Sequence, residues 1–213
     1  MKRKNVIAIV VILVAFFLFF RLVYQPYAEQ QNNISRMADD LKPSELLRDP
    51  LAAIPAFEGT DQQGETFTDK DVEGFVHVTD FFFTSCDAIC PMMTSQLSRV
   101  QEAMGDEENY RIVSFSLDPE NDSLPVLRSF ARKFGAKESV WHLLTGNKDD
   151  IYEWGREGYK QAVLIDSNGV INHSPRFVLV DENKMIRGFY NGLDSVEVDL
   201  LINDLSFLLY KKK

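Results

Sequence analysis

The sequence is poor in side chains that bind soft metals or form disulfides, with only two cysteines and three histidines in 213 residues. It also lacks internal repeats, low-complexity tracts and a glycine-rich loop of the kind that cradles phosphate. A disulfide between the two cysteines would close a loop too short to stabilise a fold appreciably. The scarcity therefore excludes a disulfide-stapled scaffold and directs attention to where the few cysteines lie.

Both cysteines lie in one short segment. Residues 86–91 have the sequence Cys-Asp-Ala-Ile-Cys-Pro. A pair at this spacing can bind a soft metal, cycle between dithiol and disulfide, or do both. The alternative is two buried cysteines on a helix face, because a free cysteine packs as a small apolar side chain.

Basic residues are outnumbered beyond the N-terminus. All 32 acidic residues but only 19 of the 23 basic residues follow Arg21, so residues 22–213 carry a net charge of −13. Nucleic-acid binding needs a basic face, so this charge argues against a nucleic-acid partner.

A long hydrophobic run follows the basic N-terminus. Lys2, Arg3 and Lys4 precede fifteen unbroken apolar residues at 6–20, and the stretch 6–24 has nineteen residues. At a rise of ~1.5 Å per residue, a helix of this length nearly spans a hydrocarbon core of ~30 Å. The pattern predicts a single-pass anchor in the cytoplasmic membrane over residues 1–24, with its N-terminus inside. The soluble domain is then on the extracytoplasmic (periplasmic) side, where thiols tend to oxidise. A cleaved signal peptide is the alternative.

The remaining chain divides into a linker and one domain. Residues 25–50 are polar and contain three prolines, which predicts a stalk with some helix at 29–41. Residues 51–213 alternate strand and helix patterns and predict a mixed α/β sheet flanked by helices, a thioredoxin-like architecture. Strands are predicted at 56–59, 65–68, 75–83, 110–117, 140–144, 162–165, 170–172, 176–180 and 185–190, and the strand at 75–83 is predicted to be central and buried on both faces near its end. Helices are predicted at 91–101, at 148–159 and at 195–209, and a further helix, capped by Asp122 or Ser123, is predicted to run through residue 134.

The cysteine segment falls between the predicted strand at 75–83 and the helix at 91–101, where α/β folds place their chemistry. A helix N-terminus favours the thiolate, so we expect lowered thiol pKa values there. Two thiolates select Cu(I) or Zn(II) but leave the ion undercoordinated. Among the histidines, His77 and His142 fit structural positions in strands, whereas His173 in the link after residue 172 is equally compatible with a ligand. Met92 is a weaker candidate ligand.

The chain resembles the Sco/SenC family, anchored copper-binding thioredoxin-like proteins of cytochrome c oxidase assembly. The resemblance rests on ordered motifs at 82–93, 116–123, 141–146, 173–181 and 186–190, and it covers roughly residues 53–210. It implies a copper site formed by Cys86, Cys90 and His173, with the two cysteines also serving as a redox pair able to close a disulfide. The resemblance also implies that Asp118 is a carboxylate near the copper. Alternatively, Asp118 only begins an Asp-Pro turn.

The resemblance implies a metallochaperone rather than an enzyme. Its cargo would be copper, Cu(I) or Cu(II), delivered to the dinuclear copper centre of cytochrome c oxidase subunit II or to another acceptor. A thiol–disulfide oxidoreductase that acts on the acceptor's cysteines is the alternative, and either role needs a thiol reductant as partner. A peroxiredoxin-type peroxidase is a third, more distant reading. Asp87 departs from the family, which commonly has proline directly after the first cysteine.

Overall fold

The computed structural model describes residues 17–18, 20–25, 42–87, 89–165 and 171–210. The chain divides into an N-terminal unit up to residue 41 and a second unit from residue 42 to residue 212. In the N-terminal unit a π-helical turn spans Phe20–Tyr24. None of the helices in the described ranges is long and apolar enough to span a bilayer. Most of the predicted anchor, and the predicted stalk helix at 29–41, lie outside the described residues.

The second unit contains nine strands and four α-helices within its described residues. The strands are β1 Glu58–Thr60, β2 Thr66–Thr68, β3 Val76–Phe82, β4 Tyr110–Ser116, β5 Trp141–Leu144, β6 Val163–Ile165, β7 Ile171–His173, β8 Arg176–Val180 and β9 Ile186–Asn191. The helices are α1 Ile89–Met104, α2 Leu124–Lys133, α3 Lys148–Glu153 and α4 Ser195–Tyr210.

A five-stranded mixed sheet forms the centre of this unit, in the order β5-β4-β3-β8-β9. Strand β3 pairs parallel with β4 and antiparallel with β8, and all seven of its residues are buried. This confirms the prediction of a central strand buried on both faces. Two separate hairpins, β1-β2 and β6-β7, accompany the sheet.

The two faces of the sheet bury two distinct apolar clusters because side chains alternate along each strand. On one side Val78 and Phe82 of β3 pack with Cys90, Met93 and other residues of α1, and α4 completes this layer. On the other side Phe81 and Phe115 pack with Ile151 of α3 and with Tyr159. The sheet is therefore covered on both faces, as the mixed α/β prediction requires.

Helix boundaries follow local sequence signals. Pro91 lies in the first turn of α1, where its missing N–H costs nothing, and the helix ends before Gly105, whose φ of +59° is in the left-handed region. The predicted helix at 148–159 instead divides into α3 and a π-helical turn at Trp154–Gly158. Glycine at 158 permits this turn, because a Cβ there would come within 2.5 Å of a carbon of Pro55.

Residues 42–50, which belong to the predicted linker, contact the domain in the structure. The backbone N–H and hydroxyl of Ser44 both donate to the buried carboxylate of Asp204 on α4. The Arg48 N–H donates to the Arg187 carbonyl oxygen of β9 at 2.6 Å. This segment therefore docks along α4 and β9 rather than standing away from the fold.

Candidate metal and redox site

The cysteine segment connects the central strand to the first helix. Strand β3 ends at Phe82 and α1 begins at Ile89, so Cys86 lies in the connecting loop and Cys90 in the first helical turn. Cys90 is fully buried, whereas Cys86 is partly exposed, and both are present as thiols. A hydrogen-bond interaction links the side chains of Cys86 and Cys90. A reagent or partner therefore reaches Cys86 first.

His173 is brought to the cysteine pair by the β6-β7 hairpin. The sequence suggested that His173 lies in a link after a strand, but it is the last residue of β7 and pairs with Val163 of β6. Its Nε2 lies 3.5 Å from Cys90 Sγ, although 83 residues separate the two in the chain. The ring of Phe83 meets the imidazole edge-on, with centroids 6.1 Å apart.

The hydrogen bond at the other ring nitrogen defines the tautomer of His173. Nδ1 lies 3.1 Å from the carbonyl oxygen of Ser174. A carbonyl only accepts, so Nδ1 carries the proton, and Nε2 of the neutral ring has its lone pair facing Cys90. Burial lowers the pKa of His173, and the Ser174 carbonyl opposes this in part. The imidazole is therefore neutral near pH 7, the state in which it can bind a metal.

The expectation of a lowered thiol pKa at the helix N-terminus is wrong for Cys90. Burial raises its pKa strongly, and the neighbouring Cys86 and the charge of Asp80 raise it further. Only the Phe83 backbone acts in the opposite direction. Desolvation of a fully buried sulfur thus outweighs the helix dipole, which acts at close range on exposed groups. Cys90 is a thiol at neutral pH in this state.

The donor set fits a soft cation by its chemistry. Two sulfurs and one neutral imidazole nitrogen are ligands that suit Cu(I) and Zn(II). Cys90 Sγ lies 3.5 Å from His173 Nε2, but among the described residues no three histidine, cysteine, aspartate or glutamate side chains converge tightly enough to form a finished metal site. The three side chains would therefore need a local rearrangement to surround one ion together.

Asp118 lies in the loop after β4 and is nearly buried, with 9 % of its surface exposed. Its carboxylate accepts two hydrogen bonds from the Asn121 side-chain amide, at 3.0 and 2.9 Å, and its carbonyl accepts from the Asn121 N–H. These contacts are those of an Asp-Pro turn. Its role beside copper stays a prediction.

Asp122 has a role that sequence reasoning missed. The pattern suggested Ser123 or Asp122 as the cap of α2; Ser123 occupies the cap position without a side-chain bond, and Asp122 points elsewhere. The fully buried Asp122 carboxylate accepts from the N–H and hydroxyl of Thr84 and, at 2.5 Å, from the hydroxyl of Ser116. It therefore ties the cysteine loop to the end of β4.

The other candidate residues occupy positions that fit their predicted structural roles. His77 is fully buried in β3, and His142 of β5 stacks on Phe67 with Nδ1 3.3 Å from Asp61. Met93 is in the core, as its place on the apolar helix face predicts. Met92 is 57 % exposed on α1, and Asp87 is also exposed beside Cys86.

The mixed sheet is covered on both faces and carries a dithiol at a strand-to-helix junction, where an imidazole faces it. This arrangement defines a thioredoxin-like protein with a candidate soft-metal and redox site. The SCO1/SenC family model matches residues 47–206. The chain belongs to this family.

Three relatives illustrate the similarity. The SCO1 protein homolog of Bacillus subtilis is 31% identical over 163 residues, which cover 75% of this chain and 84% of that protein. The solved structure of BsSco is 32% identical with a TM-score of 0.66, and the match covers 75% of this chain and 95% of that one. BsSco is described as a member of the Sco family of cytochrome c oxidase assembly proteins, with a disulfide switch. The copper-bound ScoI of Bradyrhizobium japonicum, at 22% identity and a TM-score of 0.60, covers 76% of this chain and 99% of its own, and it shares the fold.

Proposed function

We propose that this protein is a copper chaperone that binds copper through Cys86, Cys90 and His173. The observation that carries the proposal is the 3.5 Å approach of His173 Nε2 to Cys90 Sγ across 83 residues of chain. Membership of a family that includes copper-bound members supports it. The acceptor would be the dinuclear copper centre of cytochrome c oxidase subunit II.

The electrostatics of the site suit a cation that is both held and released. Binding requires Cys90 to lose its proton, and burial, which raises its pKa, makes the bare thiolate costly. A bound cation reverses that cost, so proton release and binding are coupled. The partly exposed Cys86 gives an acceptor access to one ligand first.

The N-terminal sequence supports a location of the site outside the cytoplasm. The basic cluster at Lys2–Lys4 and the apolar run at 6–20 support a single-pass anchor with the domain on the extracytoplasmic side. An acceptor embedded in the same membrane would then meet the domain without diffusion through bulk solvent.

A second function, thiol–disulfide exchange with the acceptor's cysteines, uses the same two thiols. The position of both thiols at one strand-to-helix junction, four residues apart in the chain, favours it. The disulfide form cannot bind copper through these sulfurs, so a thiol reductant would control loading.

Copper affinity in single variants tests the main proposal. We expect Cys86→Ser, Cys90→Ser and His173→Ala to weaken Cu(I) binding by at least about 100-fold, because each removes one ligand from a three-ligand set. The measurement is competition with a coloured Cu(I) chelator, using the purified full chain in a non-ionic detergent. His142→Asn is the matched control, since its ring contacts Phe67 and Asp61 away from the cysteines. Unchanged affinity in His173→Ala would remove His173 from the ligand set.

A further inference from the structure

Strand β9 lies at one edge of the five-stranded sheet, and the chain covers only part of that edge. The docked segment, residues 42–54, hydrogen-bonds with the first part of β9. The Arg48 N–H donates to the Arg187 carbonyl, and the Ile186 N–H donates to the Ala52 carbonyl at 2.8 Å. Beyond Arg187, no strand of the described chain pairs with β9 on this side. An open strand edge presents backbone donors and acceptors with which another chain can pair.

The hydrogen-bond pattern between β8 and β9 shows which backbone groups face this open edge. The Gly192 N–H donates to the Pro175 carbonyl at 2.7 Å, so these two residues form a hydrogen-bonded pair. Hydrogen-bonded and non-hydrogen-bonded pairs alternate along an antiparallel ladder, so Asn191 and Phe189 both belong to non-hydrogen-bonded pairs with β8. Their backbone N–H and C=O groups therefore point away from β8, towards the open edge.

The backbone groups of Asn191 are satisfied within the chain, whereas those of Phe189 are not. The Asn191 N–H donates to Glu197 Oε2 at 2.7 Å, and the Asn191 carbonyl accepts from the Asp194 N–H at 3.1 Å. Among the described residues, neither backbone group of Phe189 has a hydrogen bond to the docked segment, to α4 or to a loop. One donor and one acceptor therefore remain open, which is the pair that one residue of an added strand satisfies.

A groove of about 630 Å³ opens at this part of the edge. Its volume is within the range of ligand sites in proteins. Leu46 and Leu51 of the docked segment give it apolar lining, as do Phe189 and Pro175. Leu51 is 53 % exposed, so apolar surface is left facing water here. An occupant with apolar side chains is favoured because it removes that surface from water.

Two arginines give the groove a local positive charge. Arg48 and Arg176 line it and are both exposed, and neither guanidinium has an ion pair or hydrogen bond with the described residues. Glu197 also lines the groove, but its carboxylate already accepts the Asn191 N–H. The rest of the domain is acidic, with a net charge of −13 over residues 22–213. Free guanidinium groups select carboxylates, so the occupant carries negative charge.

We propose that this groove binds an extended segment of a partner protein, which adds to β9 at Phe189 and presents apolar side chains and a carboxylate. The open backbone pair selects a peptide, and Arg48 and Arg176 select its charge. Pro175 lines the groove two residues after His173, so a partner held here lies beside the candidate metal site. Docking at the groove does not depend on copper.

An anionic lipid surface fits the same groove less well. A bilayer has no backbone groups to pair with Phe189, and two arginines contribute only about 1 kcal/mol each at an anionic surface. The net negative charge of the domain opposes that attraction. The observations therefore favour the peptide, and the lipid is an outcome that the experiment separates.

Fluorescence anisotropy with short labelled peptides tests the docking site. The probes are four hexapeptides in which valine or phenylalanine alternates with aspartate or glutamate, added to the purified full chain in a non-ionic detergent. We expect saturable binding of at least one peptide, and Arg48→Gln with Arg176→Gln should weaken it by at least about 10-fold. Arg132→Gln with Arg156→Gln is the matched control, because it removes the same charge from exposed positions outside the groove. Binding that falls equally in both double variants, or no binding of any of the four peptides, overturns the proposal.

Backbone methylation tests strand addition separately from charge. In one version of the bound peptide the amide nitrogens of the apolar residues are methylated, and in another those of the acidic residues. Only one of these sets faces β9 in an added strand, so one version should lose binding and the other should keep it. Equal binding of both versions overturns strand addition at Phe189.

Two further measurements keep the outcomes distinct. Binding of dihexanoyl-phosphatidylglycerol that needs Arg48 and Arg176, in place of peptide binding, assigns the groove to lipid and overturns the proposal. Cu(I) affinity should be unchanged in the variant with Arg48→Gln and Arg176→Gln, since neither side chain belongs to the proposed ligand set. Loss of peptide binding and loss of copper binding are therefore separate results.

Discussion

Replacing Asp122 with alanine is expected to lower the free energy of unfolding by about 3 kcal/mol, because three donors lose a fully buried acceptor. These donors are the N–H and hydroxyl of Thr84 and the hydroxyl of Ser116. Chemical denaturation of the full chain in detergent, followed by tryptophan fluorescence, measures the change. The loss should be large for a single loop residue because no part of the Asp122 surface is exposed, so water cannot readily replace the carboxylate as the hydrogen-bond acceptor.

The same substitution should also weaken copper binding, because Thr84 lies two residues before Cys86. Thr84→Val is the graded control: it removes one hydroxyl donor, leaves the N–H bonded to Asp122, and should cost only about 1 kcal/mol. If Asp122→Ala unfolds at the same denaturant concentration as the wild type, the carboxylate does not tie the cysteine loop to the end of β4.

His77 is expected to contribute a loss of stability in acid. Burial lowers the pKa of this imidazole from 6.5 to about 3, and neither ring nitrogen has a partner of normal hydrogen-bond geometry among the described residues. Below pH 6.5 His77 is protonated in the unfolded chain but stays neutral in the folded chain. The contribution of His77 to the free energy of unfolding is therefore fully present above pH 6.5 and is lost as the pH falls towards 3. Between neutral pH and about pH 4 this single group accounts for a loss of about 3 kcal/mol.

His77→Leu should remove this component, so its stability advantage over the wild type should grow by about 3 kcal/mol as the pH falls from about 7.5 to about 4. Denaturant titrations at a series of pH values measure it. Thr79→Val, on the same strand and the same side of the sheet, removes a buried hydroxyl that does not titrate, and its effect should not vary with pH. A constant difference between His77→Leu and wild type over this range would contradict the prediction.

The sequence predicted the scaffold well because local patterns determine it. The apolar, β-branched run around β3 and Pro91 after the second cysteine define a strand-to-helix junction without knowledge of the rest of the fold. The ordered motifs also identified the family, and the match over residues 47–206 confirms it. The anchor remains a prediction, since it falls largely outside the described residues.

The site itself could be predicted only in part. Its cysteines are only four residues apart in the chain, but the approach of His173 to Cys90 joins positions 83 residues apart, which no local pattern encodes. The raised pKa of Cys90 was missed because burial depth, not helix position, decides it.

The β6-β7 hairpin carries His173 but pairs with none of the other described strands. Two backbone hydrogen bonds hold the base of this hairpin. The Ser174 N–H donates to the Ala162 carbonyl at 2.9 Å, and the Gly192 N–H donates to the Pro175 carbonyl at 2.7 Å. Local opening of so small a unit costs less than global unfolding. Val163 of β6 is buried in the core, and Ile171 of β7 packs against the same apolar cluster, so these side chains limit how far the imidazole can move from the thiols. If the chain carries copper as proposed, truncating Val163 or Ile171 should shift the imidazole relative to Cys90 Sγ and shorten the residence time of the metal, while the pairing of the five-stranded sheet is retained.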